Sequence, residues 1–449
     1  EAMESGLHSL LDGVDARLVK TVGVTGQLHT TVFLDAEGNS IRPAILWNDT
    51  RTKEYIPYLK KKIDGFPEAS SIFDILSTGS PAANLYWLRK NEPENFAKLG
   101  TFLIGPDYLV YRLTGRRGTD YSEASTSSLY DLRKKRWSPE MARIVGLPDR
   151  VYPKVSGSAR IAGTILPQLA SRYGFSPDTN VIVGTGDNPA SAISTGCLTK
   201  GYPVLSLGTS GVLMVPMKMQ DLAGRGKNIL LSFDGEAFTV LVQGVVQSTG
   251  SDLMWWIRDI LCSDDFEAGG GEADLGRLGE NNLIFYPHLM GDKTIYADPD
   301  LRGAFLGLGT DTTRMDMTQA VMEGICFAVK ELAETMCLTQ KQLCGLRVIG
   351  GGARNCMWMQ MMADVLNVEI SQLDGNISTA YGIALLASYA GGRIQNLNDL
   401  VDRSIFVKRS FYPRVYNTEL YRAKYQKYRR IHDALKQVYR PEPAAAAPD

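Results

Sequence analysis

The sequence predicts an α/β protein, and one short pattern that occurs three times carries that prediction. An apolar strand runs directly into a glycine-rich turn at 181–188 (VIVGTGDN), at 204–211 (VLSLGTSG) and at 346–355 (LRVIGGGARN). Segments with helical spacing of apolar residues lie between these strands. In this class the loops that follow the strands face the ligand, so we expect the glycine turns to lie at a binding site.

The composition is that of a large globular protein with two or three domains. The chain has 449 residues, of which 44% are hydrophobic and 22% are charged. Its formal net charge is -1 and it has no basic stripe, so we expect no nucleic-acid partner. Its apolar runs are shorter than the roughly 20 residues of a membrane span. The six cysteines and four histidines have neither disulfide nor metal-ligand spacing, so we expect a cytoplasmic protein without membrane contact.

The first half of the chain is predicted to mix short strands and helices. Residues 1–14 have the spacing of a helix whose apolar face holds Met3, Leu7 and Leu10 or Leu11. Residues 18–47 indicate a strand, a glycine loop, a second strand, a turn at 37–39 and a third strand. Helices and loops punctuated by proline fill 50–180.

Two helices in the second half are predicted in more detail. The first spans 316–338, with Asp316 as its cap and Gln319 completing a capping box. Its apolar face is formed by Val321, Ile325, Val329, Leu332 and Met336. The second spans 356–366, and we interpret its methionines as core packing rather than as a soft-metal site.

The main domain boundary is predicted near 196–203, where GCLTKGYP separates two strand–loop units. This gives one domain at 1–197, a second at 203–438 and a disordered tail at 439–449. The glycine-rich stretch 268–274 (AGGGEAD) is predicted to be a flexible surface insertion.

Each glycine turn can bind an anion, because a backbone without Cβ atoms lets phosphate approach free N–H groups. Gly208 is followed by the hydroxyl groups of Thr209 and Ser210, which suit phosphate oxygens. The glycines 350–352 precede a helix, where a nucleotide can lie against the helix start. Such turns are also common in proteins that bind no phosphate, and neither a Walker A nor a G-x-G-x-x-G motif is present.

Asp187 is a carboxylate placed among glycines, with the amide of Asn188 beside it. It is either a turn former or helix cap, or a general base that accepts the proton of an attacking hydroxyl group. Phosphoryl transfer needs mainly positioning and charge neutralisation from the protein. One carboxylate with several N–H-rich loops is therefore sufficient for this reaction.

Polar side chains in the first half suit a sugar or polyol. The segments 26–30 (GQLHT) and 47–49 (WND) place imidazole, indole, amide and carboxylate groups on loops after apolar strands. Sugars are bound by such groups because each hydroxyl both donates and accepts hydrogen bonds. The alternatives are a hydrogen-bonded, partly buried histidine at His29 and core packing of Trp47.

These residues together resemble the FGGY carbohydrate kinases over roughly 1–435. The segment 303–323 (GAFLGLGTDTTRMDMTQAVME) matches the second family pattern at every specified position. The segment 79–91 (GSPAANLYWLRKN) matches the first, except that Asn84 replaces the expected lysine, a departure that we expect to leave the catalytic loops untouched. Within the family the likeness is greatest to the xylulokinase branch, although Thr30 stands where that branch usually has glycine.

The resemblance implies two RNase H-like (actin-like ATPase) domains with a ligand cleft between them. It implies ATP as phosphoryl donor, Mg2+ bridging the phosphates, and Asp187 as the catalytic base. The substrate neighbours that it implies are Leu28, His29, Trp47, Asn48, Asp49 and Asn188. The ATP-binding residues that it implies are Gly208, Thr209, Gly350, Gly351, Gly352 and Asn355. The expected reaction is transfer of the γ-phosphate to the terminal hydroxyl of a pentulose, which converts D-xylulose to D-xylulose 5-phosphate.

Alternatives remain for substrate and activity: another ketose or polyol, or a degenerate, non-catalytic sugar-binding homologue. A homodimer is one assembly that the family allows. Family members begin with a hairpin that carries an Asp-x-Gly-Thr-[Ser/Thr] phosphate loop, and this sequence has no Asp-x-Gly-Thr. Either the chain is a fragment, which is the interpretation that we favour, or the family's first loop has been lost, and we expect these residues alone to be poorly active.

Overall fold

The computed structural model describes residues 2–66, 69–73, 75–263, 278–375, 377–392 and 394–439. The predicted surface insertion at 268–274 and the tail residues 440–449 lie outside the described residues. Within those ranges, no helix is both long enough and apolar enough to cross a membrane.

The first 200 residues combine short strands with short helices. The strands are Thr21–Val22, Thr25–Gly26, Thr31–Leu34, Thr101–Ile104, Gly118–Asp120, Tyr130–Asp131, Arg136–Trp137, Lys154–Ser156, Ile161–Thr164, Asn180–Ile182 and Thr185–Gly186. The α-helices are Ala2–Leu11, Ile56–Asp64, Ser70–Phe73, Pro81–Asn91, Pro93–Ala97, Gly105–Thr114, Tyr121–Thr126, Pro139–Val145, Pro167–Tyr173, Asp187–Ser194 and Cys197–Lys200. Single 3-10 turns are Ala16–Leu18, Lys53–Tyr55 and Asp149–Val151.

The predicted opening helix is present and packs as expected. Its apolar residues Met3, Leu7 and Leu11 contact a core cluster that includes Tyr173. Leu10 is 75% exposed, so Leu11 is the residue that completes the apolar face.

The strand that leads to Asp187 is paired on both sides. Asn180–Ile182 pairs in parallel with Thr21–Val22 and antiparallel with Ile161–Thr164. Thr185–Gly186 then pairs in parallel with Thr25–Gly26. Because parallel strands end at the same edge, the loop that carries His29 and the helix that begins at Asp187 leave the sheet side by side.

The prediction of a third strand in 18–47 is wrong. Strand Thr31–Leu34 pairs antiparallel with Thr101–Ile104 instead. The segment after the turn contributes isolated bridges, Leu34 with Ser40 and Thr31 with Ile45. Pro43 lies between these bridges and has no N–H group to donate, which interrupts a regular ladder.

A seven-stranded sheet begins at Val204. In spatial order its strands are Lys227–Leu231, Thr239–Val246, Gly211–Met217, Val204–Leu207, Leu346–Ile349, Ile370–Gly375 and Ile405–Phe411. The fourth, fifth and sixth strands of that order are parallel, and the other pairs are antiparallel. A separate antiparallel pair is formed by Ile284–Tyr286 and Ala304–Leu306.

Helices cover this sheet. The α-helices are Gly250–Met254, Arg314–Thr335, Gln340–Leu343, Cys356–Leu366, Thr379–Ala390, Leu397–Ser404, Val415–Tyr428 and Ile431–Tyr439. One π-helix, Trp255–Ile260, and the 3-10 turns Met219–Asp221 and Gly351–Arg354 complete the described elements.

The long central helix, Arg314–Thr335, begins and ends earlier than predicted. Its N-cap is Thr313 and not Asp316, whose carboxylate accepts the N–H of Thr313 at 2.9 Å. The capping box therefore lies three residues earlier in the chain, and Gln319 instead donates to Glu323 at 2.7 Å. The five predicted apolar residues of this helix are all buried.

The helix Cys356–Leu366 has the predicted bounds. Its methionines at 357, 359, 361 and 362 are buried in the largest hydrophobic cluster of the described residues, beside Trp358. Their burial against Val321 and Ile325 of the long helix agrees with their interpretation as core residues.

The helix Thr379–Ala390 packs against Asp187–Ser194, although the two are almost 200 residues apart in sequence. The contact is close because a Cβ atom on Gly382 would lie 1.8 Å from the carbonyl oxygen of Ala190. This pair of helices fixes the element whose first residue is Asp187.

Candidate active site

Asp187 is the first residue of a helix that starts at a sheet edge. The preceding Gly184 has φ +81° and Gly186 packs so tightly that a Cβ atom would lie 2.3 Å from Cδ2 of Leu28. The carboxylate of Asp187 accepts the N–H of Asn188 at 2.7 Å. The two glycines therefore let the chain bring Asp187 beside the loop that carries Leu28.

The carboxyl group of Asp187 is half-buried and more basic than an ordinary aspartate. Burial raises its pKa, and the N–H groups of Asn188, Asp187 and Leu28, followed by the charge of Lys227, oppose that rise. A raised pKa suits a general base, because the carboxylate then binds a proton more readily in the transition state.

His29 follows Leu28, whose backbone N–H interacts with this carboxylate, and it has a left-handed backbone conformation with φ +71°. The imidazole is 8% exposed, and its Nε2 atom lies 3.4 Å from Nζ of Lys227. Burial and the positive charge of Lys227 lower the pKa of His29 to about 3, with an opposing backbone interaction from Thr126. The imidazole is therefore uncharged at neutral pH.

Two residues of the seven-stranded sheet join this group, and the sequence analysis did not identify either. Lys227 and Gln243 are directly paired across antiparallel strands. The Gln243 side-chain oxygen accepts a hydrogen bond from Nδ2 of Asn188 at 3.2 Å. The sequence signal that marks them is a polar residue within or at the end of an otherwise apolar strand, KNILL and TVLVQGVV.

Three buried carboxyl groups, Asp107, Asp120 and Glu123, lie behind the same strand edge. Burial raises the pKa of Asp120 to about 6, although its carboxylate accepts the Glu123 N–H at 2.9 Å. Burial, together with the charges of Asp107, Asp120 and Asp187, raises the pKa of Glu123 well above its ordinary value. Among neighbouring carboxyl groups the most buried one keeps its proton, so Glu123 is favoured as the neutral acid beside an ionised Asp187.

The second glycine turn is held by the start of another helix. The carbonyl oxygen of Gly208 accepts the N–H of Gly250 at 2.9 Å, and that of Thr209 accepts the Thr249 N–H at 3.1 Å. A Cβ atom on Gly250 would lie 2.3 Å from the Gly208 oxygen. Thr209 itself is exposed, so its hydroxyl group is free to face a ligand.

The third glycine turn lies next to the second, because Leu346–Ile349 and Val204–Leu207 are neighbouring parallel strands. Gly350 has φ +94°, and a Cβ atom there would lie 2.5 Å from the Leu207 carbonyl oxygen. The Gly352 position is closed by Trp358 at 2.7 Å, whereas Gly351 faces open space. The two turns thus form one edge rich in backbone N–H groups, where phosphate can bind.

Asn355 caps the helix that follows the third turn. Its side-chain oxygen accepts the N–H of Trp358 at 3.0 Å. This local role was not part of the prediction, and it places Asn355 at the helix start beside the glycines.

The predicted loop 47–49 is largely exposed. Trp47 is 46% exposed, so the alternative of core packing is wrong. Asp49 forms a 2.8 Å ion pair with Arg51, which lowers the pKa of that carboxyl group. In the described part of the chain, no hydrogen bond or ion pair joins Trp47, Asn48 or Asp49 to Asp187.

The structure therefore brings together two of the predicted sets. Leu28, His29, Asp187 and Asn188 form one set, which Lys227 and Gln243 complete. The phosphate-loop residues form the other, at 208–209 and 350–355.

Comparison with family models shows the class of protein: the chain contains both domains of a sugar kinase. The model of the FGGY family of carbohydrate kinases, N-terminal domain, matches residues 1–194. The model of the C-terminal domain of the same family matches residues 204–391. The chain belongs to the FGGY family of carbohydrate kinases, and it is a phosphotransferase that acts on sugars.

Relatives support this membership over most of the chain. The xylulose kinase of Bacillus subtilis (strain 168) is 30% identical over 432 residues, which are 95% of this chain and 85% of the relative. The structure of ligand-bound xylulose kinase from Lactobacillus acidophilus has a TM-score of 0.87 at 23% identity and covers 98% of this chain and 89% of its own. Gluconate kinase from the same organism has a TM-score of 0.83 at 23% identity, covering 96% and 88%. These structures confirm the predicted α/β fold of two actin-like ATPase domains.

Proposed function

We propose that this protein phosphorylates the terminal hydroxyl group of a pentulose, with D-xylulose as substrate and D-xylulose 5-phosphate as product. The observation that carries the proposal is the grouping of Asp187, its pKa raised by burial, with Leu28, His29 and Asn188 at one sheet edge. The 30% identity to a xylulose kinase supports the choice of sugar.

The proposed reaction is a direct transfer. The hydroxyl oxygen of the sugar attacks the γ-phosphorus of ATP while Asp187 accepts the hydroxyl proton. A new O–P bond forms as the bond from the γ-phosphorus to the β,γ-bridging oxygen breaks, and ADP leaves. His29, as an uncharged imidazole, and Asn188 offer hydrogen bonds that orient the sugar.

The glycine turns supply the site for ATP in this proposal. The turn at Gly208 and Thr209 contacts the γ-phosphate through the N–H and hydroxyl groups of Thr209, since the Gly208 N–H is donated to the Ser210 carbonyl oxygen at 3.1 Å. Gly350–Gly352 with Asn355 lie against the adenosine. The exposed positions of Thr209 and Gly351 support this placement, since both face open space at the shared edge.

Mg2+ is proposed to arrive with ATP. In the described ranges, no group of three or more histidine, cysteine, aspartate or glutamate side chains could hold a metal ion. Magnesium bound to nucleotides takes most of its ligands from phosphate and water, so a closed protein cage is not required. The ion would neutralise charge on the phosphates, and no side chain is assigned to it.

A panel assay of ADP release tests the proposal on the intact gene product. D-xylulose, other ketoses, polyols and gluconate are compared, with Asp187→Asn and Asp187→Ala as variants. Asp178→Asn, at an exposed site, is the control. We expect the highest kcat/KM with D-xylulose, and a loss of kcat of about 10²–10⁴-fold in both Asp187 variants with sugar binding retained.

Each other outcome has a defined meaning. Greater turnover with another ketose, a polyol or gluconate would change the proposed substrate but support the proposed kinase activity. Sugar binding without turnover in the wild type would favour the non-catalytic sugar-binding homologue.

A further inference from the structure

We propose that Lys227 is a positioning residue for the phosphoryl-acceptor site, where its ammonium group keeps Asp187 ionised and His29 uncharged. This inference rests on the proposed role of Asp187 as the base. It concerns a residue of the seven-stranded sheet that acts on residues of the N-terminal family domain.

The sheet places Lys227 beside the residue that follows Asp187. Lys227 is paired with Gln243 across antiparallel strands, and Gln243 accepts a 3.2 Å hydrogen bond from Asn188. Directly opposed residues of such a pair have Cβ atoms about 4.5–5.5 Å apart on one face of the sheet. The Lys227 side chain is therefore directed toward the segment 187–188.

His29 lies on the other side of the ammonium group. Nζ of Lys227 lies 3.4 Å from Nε2 of His29. An ammonium group only donates, so this contact requires the lone pair on Nε2 and assigns the proton of the neutral ring to Nδ1. A protonated His29 would place two positive charges at this distance.

Within the described ranges, Lys227 is recorded in no ion pair. Among the described residues, no carboxylate lies within 4.0 Å of its Nζ atom, whereas Lys424 and Lys200 both form ion pairs. A partly buried ammonium group without a paired carboxylate is not explained by a stabilising salt bridge. Its charge is instead available to the two acceptor-site groups beside it.

The directions of the pKa shifts of Asp187, His29 and Lys227 agree with this geometry. The charge of Lys227 opposes the burial-driven rise in the pKa of Asp187, and it adds to burial in lowering the pKa of His29. Burial and Lys293 lower the pKa of Lys227 itself to about 8, while Asp187 opposes that shift. Glu123, an acidic neighbour of Asp187, is favoured in its protonated, uncharged form. Lys227 is therefore the main charged group that faces the base.

The charge of Lys227 shifts the pH dependence of catalysis in a defined direction. The base must be ionised, so activity falls as the pH falls through the pKa of Asp187. Removing the positive charge at 227 raises that pKa, and the acid limb of the pH profile moves to higher pH.

The test begins with a measurement that needs no turnover. The chain has four histidines, so ring NMR signals of each can be followed against pH in the wild type, Lys227→Met and Lys227→Arg. We expect His29 to titrate at higher pH in Lys227→Met and near the wild-type position in Lys227→Arg. The exposed Lys218→Met is the matched control, and the signals of His288 and His432 report whether the fold is kept. An unchanged His29 titration in a folded Lys227→Met protein would overturn the proposal.

The second measurement is the pH dependence of kcat/KM in the same variants. We expect the acid limb of Lys227→Met to move up by about 0.5–1 pH unit, with restoration by Lys227→Arg. A lower rate without a shift of the acid limb would overturn the positioning role, and Lys227 would then have only a structural role. Wild type without turnover would contradict the proposed function, and the NMR titration would still decide on Lys227.

Discussion

The side-chain amide of Asn84 donates a 2.9 Å hydrogen bond to the hydroxyl group of Thr31. The same amide donates to the carbonyl oxygen of Gly79 at 3.0 Å, and Asn84 is fully buried. Thr31 follows His29 by two residues. The family-pattern position that lacks its expected lysine therefore holds the strand next to the acceptor loop.

Replacement of Asn84 should affect both stability and the acceptor site. Asn84→Leu keeps the side-chain volume but leaves the Thr31 hydroxyl and the Gly79 carbonyl without their donor. We expect a loss of about 1–3 kcal/mol of unfolding free energy and a raised KM for sugar with a smaller change in kcat. Urea unfolding and initial-rate kinetics measure the two effects. Asn91→Leu, on the exposed end of the same helix, is the control, and equal behaviour of the two variants would contradict the role of Asn84.

The contact between helices Asp187–Ser194 and Thr379–Ala390 should not tolerate a methyl group. In Gly382→Ala the new Cβ atom would lie 1.8 Å from the Ala190 carbonyl oxygen, so the helices must separate. We expect a loss of about 1–3 kcal/mol in stability and a reduced kcat, because the helix that begins at Asp187 moves. Gly6→Ala, in a helix with open space around the position, should instead gain about 0.5–1 kcal/mol. A Gly382→Ala protein as stable as wild type would show that the helices approach less closely.

The buried acid Glu123 should make stability depend on pH in a defined direction. Its pKa is raised in the folded protein, mainly by burial, so its contribution is complete below the unfolded pKa and is lost as pH rises through the folded value. Glu123→Gln cannot ionise, and we expect its Tm to exceed that of wild type at pH 8 and to match it at pH 5.

Glu140→Gln is the control for this prediction, because the sign is opposite there. Burial raises the pKa of Glu140, but hydrogen bonds from its own N–H group and from Ser138 outweigh burial and lower the pKa overall. The ionised form is thus the stable one, and the variant should lose Tm at pH 8. A Glu123→Gln protein with lower Tm than wild type at pH 8 would show that Glu123 is ionised in the fold.

Local patterns predicted the elements whose signals lie within a few residues. The three strand–glycine turns, the helix 356–366 and the buried face of the long helix were all read from spacing and composition. The capping box was misplaced because Thr313 and Asp316 each fit a cap, and only the backbone shows which one precedes the first turn. The third strand failed because Pro43, which has no N–H group to donate, leaves only isolated bridges after the turn.

Only part of the candidate site was predicted, because only some of its residues carry a local sequence signal. Asp187 and Asn188 are marked by glycines beside them, whereas Lys227 and Gln243 are polar residues in largely apolar strands. Their meaning depends on a sheet register that joins them to Asn188 across the two family domains. Nothing local in the sequence carries that information.

The open position at Gly351 separates nucleotide binding from folding. A Cβ atom at Gly351 would have nothing within 4 Å, so Gly351→Ala should fold with an unchanged Tm. The methyl group would project from the edge where we place ATP, and we expect KM for ATP to rise severalfold while KM for sugar stays constant. At the neighbouring Gly350, φ is +94° and the Leu207 carbonyl oxygen would lie 2.5 Å from a Cβ atom. Gly350→Ala should therefore lower the Tm, unlike Gly351→Ala. Thermal unfolding and initial rates at varied ATP distinguish the two variants. If Gly351→Ala binds ATP as tightly as wild type, the nucleotide does not lie against this turn, and Gly350 and Gly352 serve only the packing of the strand against the helix.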